Sequence, residues 1–318
     1  MRKGPLMVLL VFAFLPYGNA QSTRHATHVV PNGKGWGVET PQGVSPAEVP
    51  PNPAVVTGNG INYHGGPVMP GTVNIYLIWY GNWTNGPHAS DSQTTVSLID
   101  SLYDSGGMGG SGYALINSTY GDSTHNVSGN FVLAASTTNN YSRGTRLSDS
   151  GVQGVVSSAI TSHALPLDTN GIYFVLTSSD VRETSGFCSF YCGWHTRATI
   201  SGADIKYAFV GNPDRCSSAC EAQTSSPNSD SGADGMASIM AHETEEAISD
   251  PDLNAWYDTS GNENADKCAW KFGPTTGTIG SRAYNQTFGG HNWLIQMNWE
   301  NARGGGCDKT KGGTFYNF

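Results

Sequence analysis

The sequence predicts an α/β fold: one layered domain with a mostly parallel central sheet, helices on its faces and a disulfide-stapled C-terminal half. Three observations lead there. Short, nearly unbroken β-branched and aromatic runs alternate with segments at helical spacing, the order that builds parallel sheets. No internal repeat or second linker interrupts the chain. All six cysteines, Cys188, Cys192, Cys216, Cys220, Cys268 and Cys307, lie in its second half.

Residues 1–20 place Arg2 and Lys3 before an apolar run from Leu6 to Pro16, then Gly18 and Ala20, the pattern of a cleaved export signal. The run is well short of the roughly 20 residues a bilayer span needs, and no other segment is apolar enough to be a membrane span. Residues 21–60, with "TPQGVSPAEVPPNPAVVTGNG", read as an extended Pro-rich lead-in to a domain over 61–318. "GTVNIYLIWYG" (71–81) is a strand buried on both faces. "SQTTVSLIDSLYDSG" is a helix with Val96, Leu98, Ile99, Leu102 and Tyr103 on its apolar side and Gly106 at its end. "NFVLAAST" and "GIYFVLTSSDV" are further strands around a helix in "LSDSGVQGVVSSAITSHALP" that stops at Pro166. "IKYAFVGNP" and "NWLIQMNW" complete the strand candidates.

An even cysteine count in an exported chain favours disulfides over thiolate metal ligands, and a zinc ribbon would want Cys-x-x-Cys pairs. The nearest-neighbour pairing Cys188–Cys192, Cys216–Cys220 and Cys268–Cys307 is expected. Sequons at Asn82, Asn117, Asn126, Asn140 and Asn285 mark candidate surface loops.

Charge is scarce and unevenly placed. Only 13% of residues are charged, yet Cys216 to Asp266 holds eleven acids and no Lys or Arg. Removing Arg2 and Lys3 with the leader takes the net charge from −9 to −11, the charge of that segment alone. Net acidity argues against nucleic acid as a partner.

Within it, "DGMASIMAHETEEAIS" reads as a helix with Asp234 as N-cap and Pro251 forbidding continuation. On a helical wheel Met236, Met240, Ala241, Ala247 and Ile248 form the core face, His242, Glu243, Glu246 and Asp250 one adjoining stripe, and Glu245 and Ser249 the solvent edge. Like charges at i,i+3 and i,i+4 cost about 0.2–0.5 kcal/mol per pair, a sign that a divalent cation reverses. His-Glu-x-x-Glu is the zincin pattern with glutamate for its second histidine. Spacing i,i+4 aims His242 and Glu246 at one Zn2+, and Glu243, a third of a turn away, is the general base. A third ligand is required, and Glu263, returning after a short hairpin in "LNAWYDTSGNE", is favoured. Asp250, Asp252 and Asp266 are the alternatives, and His195 in "CGWHT" is an outside candidate, otherwise a histidine that orients a loop. Asp252 lies ten residues after His242, but the short metzincin-like pattern that uses that position wants glycine where this chain has Ser249. A Ca2+ site is the competing cation reading, against which the imidazole counts.

The segments "GPVMPGTVNIYLIWYGNW", "FCSFYCGWH", "KYAFVGNPDRCSSAC", "GADGMASIMAHETEEAISDP", "CAWKFG" and "RAYNQTFGGHNWLIQMNWENARGGGC" resemble, in order and with all six cysteines, the phosphate-induced protein 1 or exordium-like family. The resemblance covers about residues 60–310 and implies a secreted protein of the extracellular space or cell wall. It carries no catalytic residues to transfer. Two functions follow as expectations. One is a secreted metal-dependent hydrolase, a zinc peptidase acting on a polypeptide or a cell-wall or glycan substrate. The other is a non-catalytic extracellular binding or signalling protein whose eight Trp and fourteen Tyr include sugar-stacking platforms.

Overall fold

The computed structural model describes residues 58–316 together with Met1, Pro31, Gly33 and Lys34. The expected export signal (Met1 apart) and most of the expected lead-in fall outside the described residues.

Five strands form the central sheet: β1 (Gly71–Tyr80), β2 (Val127–Asn139), β3 (Gly171–Thr177), β4 (Gly193–Ile200) and β5 (Ala203–Gly211). Their order is β2-β1-β3-β5-β4. The pairs β1–β2, β1–β3 and β3–β5 are parallel, and β4 lies antiparallel to β5 at the edge. The sheet is therefore mixed. Its antiparallel edge follows from the connection between β4 and β5: Ser201 and Gly202, both at positive φ (51° and 82°), turn the chain in two residues, too few for a crossover. That Ser-Gly pair is a hairpin signal in the sequence, and β4 is the strand missing from the expectation. All seven residues of β3 are buried, as a strand covered on both faces requires.

Three long helices accompany the sheet: α1 (Gln93–Tyr103), α2 (Asp149–Thr161) and α3 (Ser231–Ser249). Each starts on a side-chain cap. Ser92 Oγ accepts from Thr95 N, Ser148 Oγ from Gly151 N and Asp230 Oδ1 from Ala233 N. α3 thus begins earlier than predicted, and Asp234, expected as its cap, lies in the first turn and accepts from Ser226 and Asn228. α2 packs on β3 and β5; α3 packs on β4, β5 and α1.

Beyond α3 the chain forms short two-stranded ribbons in place of sheet strands. "NWLIQMNW" is divided between two of them: His291–Trp293 pairs with Gln286–Phe288 and Asn298–Glu300 with Gly306–Asp308, leaving 294–297 irregular. The cysteines pair as Cys188–Cys216, Cys192–Cys220 and Cys268–Cys307. The first two expected pairings are wrong. Cys216 and Cys220, four apart on one short turn, each face a partner on the opposite segment, so the two bridges run side by side and close loops of equal separation, 28 residues. Of the five sequons, Asn117 and Asn285 are buried, their amides hydrogen-bonded to backbone carbonyls, and are not surface loops.

Candidate metal centre

α3 supplies three side chains. His242 Nε2 lies 2.9 Å from Glu246 Oε1, the i,i+4 approach expected of the helix. Glu243, one residue on from His242, is buried and has one carboxylate oxygen without a hydrogen-bond partner. The expected solvent edge does not exist. Glu245 and Ser249 are fully buried because the C-terminal ribbons cover that side: Asn298 Nδ2 donates to Glu245 Oε2 at 3.0 Å, and Asn117 Nδ2 donates to the Glu245 carbonyl.

The chain returns to the helix by a turn rather than by a hairpin of its own. Asp250 caps the end of α3, its Oδ1 accepting from the backbone of Asn254 and Ala255 at 2.6 Å each. Trp256–Tyr257 then pairs with Asn62–Tyr63. A loop closed on Asp258 leads to Glu263 and Asp266, where the Asp266 backbone N–H donates to Glu246 Oε1 at 3.0 Å. The Cys268–Cys307 bridge fixes this return to the ribbon at Gly306–Asp308.

Asp266 Oδ1 comes within 3.4 Å of His242 Nε2, so His242, Glu246 and Asp266 present donor atoms to one point, all within 4.8 Å of one another. Glu263, the favoured third ligand, sits elsewhere in the same cluster: its Oε2 is 3.3 Å from His195 Nε2. Asp250 is committed to its cap, and Asp252 faces Lys206 and Arg197 at 3.5 and 3.6 Å.

His195 belongs to the cluster. It lies on β4, not on a loop, with its imidazole 1% exposed and Nε2 3.6 Å from Glu246 Oε2. His195, Glu243 and Glu246 form a second set of donors within 4.8 Å. Gly193 makes this possible. It shares a strand face with His195, and a Cβ there would come within 2.6 Å of Ile239 and 3.0 Å of Glu243 Oε1, so only glycine lets α3 approach β4 this closely.

The electrostatics are those of many charges sharing little solvent. Burial, reinforced by Glu246 and Asp266, holds the Glu243 carboxyl well above the usual range. Burial raises Glu263 likewise, reinforced by Glu246 and Asp250. Burial, with Asp266, pushes Glu246 up to about 7. Burial lowers His195 to about 3, keeping it a neutral imidazole. For His242 burial works against the cation, but Glu246 and Asp266 outweigh it and hold the group well above its ordinary value.

The cluster reaches the surface through a cavity of about 190 Å³, lined among others by His242, Glu243, Asp266 and Gln296. The Gln296 amide lies 2.7 Å from His242 Nδ1. Phe190 and Trp270, 76% and 49% exposed, border this cavity, as does Lys34 of the lead-in. Beside it the Gly33 carbonyl accepts from the His195 N–H at 2.9 Å, on the free edge of β4. Gln296 and the two aromatics carry no sequence signal of a site; they are brought there by the ribbons and by the double disulfide.

The family profile described as "Phosphate-induced protein 1 conserved region" matches residues 61–301. The chain is similar to Protein EXORDIUM-like 5 of Arabidopsis thaliana, at 33% identity over 275 residues, 75% of each chain. It is similar to Protein EXORDIUM-like 3 of the same plant, at 33% over 219 residues, 62% of this chain and 64% of the relative. Protein PHOSPHATE-INDUCED 1 of Nicotiana tabacum is 27% identical over 221 residues, 62% of this chain and 67% of the relative. No solved structure matches.

Proposed function

Given that the chain belongs to the phosphate-induced protein 1 or exordium-like family, we propose that it is an exported member of that family acting as a metal-dependent hydrolase, a zinc peptidase built on the His242-Glu-x-x-Glu246 helix. One observation supports this above all. Two histidines and four carboxylates converge in an interior where, among the described residues, no Lys or Arg pairs with the carboxylates: the ion pairs that reach them come from His195 and His242. Burying charges without compensation costs several kcal/mol each. The three disulfides suit an oxidising compartment and hence export.

In this reading His242, Glu246 and Asp266 hold the ion. The Gln296 amide nitrogen, 2.7 Å from Nδ1, orients the His242 ring with Nε2 toward Glu246 and Asp266. Zinc supplies a more acidic water and a polarised carbonyl. Glu243, facing the cavity, takes the proton from the attacking water as the C–O bond forms, then delivers it to the departing amine as the C–N bond breaks. Phe190 and Trp270 offer apolar contact to a polypeptide substrate at the mouth.

The test uses full-length purified protein, stripped by a chelator and reloaded with zinc, on casein and a peptide library. We expect stoichiometric zinc, and a Glu243→Gln variant that keeps the metal but loses roughly 10²–10⁴-fold in cleavage rate. No bound zinc, or cleavage unchanged in Glu243→Gln, would sink the reading. A non-catalytic binder is the second reading, favoured by Phe190 and Trp270 standing exposed beside the cavity. It requires glycan-array binding that Trp270→Ala removes, together with no hydrolysis by the zinc-loaded protein.

A further inference from the structure

We propose that the cluster is built for two divalent first-row transition-metal ions bridged by Glu246, an outer one on His242 and Asp266 and an inner one on His195 and Glu263. This rests on the metal reading above and deepens it, since a single ion leaves half of the donors without a purpose.

The geometry repeats itself about Glu246. Its Oε1 is 2.9 Å from His242 Nε2 and its Oε2 is 3.6 Å from His195 Nε2, so the two oxygens of one carboxylate serve different imidazoles. Each imidazole also has a carboxylate of its own: Asp266 Oδ1 at 3.4 Å from His242 and Glu263 Oε2 at 3.3 Å from His195. Donor atoms around one tetrahedral ion stand roughly 3.3 Å apart, which these four imidazole–carboxylate separations straddle; the inner donors that lie within 4.8 Å of one another are His195, Glu246 and Glu243, with Glu263 against His195. Each carboxylate of the cluster also keeps one oxygen short of other work. Among the described residues Glu243 Oε2, Glu246 Oε2, Glu263 Oε1 and Asp266 Oδ1 have no hydrogen-bond partner, although all four residues are more than nine-tenths buried. Among the described residues His195 Nδ1 has none either, so the polar contacts of this imidazole are those its Nε2 makes to Glu246 and Glu263.

Charge gives the same count. With ions bound, all four carboxylates ionised and both imidazoles neutral carry four negative charges; one divalent cation would leave two of them uncompensated in the interior, and two cations balance them. Two imidazoles among the donors select a first-row transition ion over Ca2+ or Mg2+, which take oxygen ligands. Paired ions in such sites lie about 3.5–4 Å apart, a span that one carboxylate bridges. Glu243, within reach of both His195 and Glu246 and lining the cavity, flanks the pair on the substrate side.

The experiment counts ions. Full-length protein is stripped, dialysed against Zn2+ alone and analysed by inductively coupled plasma mass spectrometry. We expect two zinc per chain in the native sequence and one in His195→Gln or Glu263→Gln. Manganese-loaded native protein supplies a reading that needs no variant: the electron paramagnetic resonance spectrum should be that of an exchange-coupled pair. One zinc per chain, unchanged in His195→Gln, overturns the pair while leaving the single-ion reading intact. Two ions with the spectrum of isolated Mn2+ overturn the shared Glu246. No bound metal ends both readings.

Discussion

Glu246 and Asp100 show what burial does to a carboxylate with and without company. Glu246 has two imidazoles and the Asp266 amide within reach. Asp100, on α1, has a buried oxygen with no partner, and burial together with Asp104 raises its pKa to about 6. A folded-state value above the unfolded one means that the folded chain binds more protons between the two. Stability is therefore fullest below the unfolded value and falls as pH rises through about 6. Asp100→Asn should stabilise the protein by about 1 kcal/mol near neutrality, after allowing for solvent screening, and by almost nothing at about pH 4. Thermal melts at the two pH values check this. At this scale much of the cluster is written in the sequence. His242, Glu243 and Glu246 follow from helical spacing, and Glu263 and Asp266 from a return in the chain. His195 is there only as an outside candidate, because its place depends on a strand pairing and on what Gly193 omits across the gap to α3.

For whole elements, β1, β2, β3 and β5 and α1 and α2 were legible because each has one dominant period and a clean stop, whereas β4 was missed. α3 was legible as a helix but not in its surroundings. The wheel assumes one solvent side, and here both sides are covered, by β4 and β5 and by ribbons of three residues a strand that have too little length to show a period. Connectivity failed for a related reason: spacing in the chain says nothing of which segments face each other. The paired bridges Cys188–Cys216 and Cys192–Cys220 border the cavity wall and hold Phe190 at its mouth. Removing one of them, as in the Cys192→Ala/Cys220→Ala double variant, should cost about 2.5 kcal/mol in urea denaturation, because the retained Cys188–Cys216 bridge leaves a ring of only about ten residues to be released. The partner bridge should keep the variant folded.

On the scale of the molecule, no helix among the described residues is long and apolar enough to cross a membrane, and the acidity is arranged inward. Of the eleven acids between Cys216 and Asp266, Asp234, Glu243, Glu245, Glu246, Asp250, Glu263 and Asp266 are buried. Seated in the interior, these seven carboxylates present little of their charge to water. The sequence isoelectric point, about 5.4, counts every one of them. Native protein should thus focus at a higher pH than the same chain in urea, and capillary isoelectric focusing under the two conditions would show the gap. A chain that looks strongly acidic on paper therefore meets ion exchangers and polyanions as a far less acidic body, much of its acidity an internal property that appears only on unfolding.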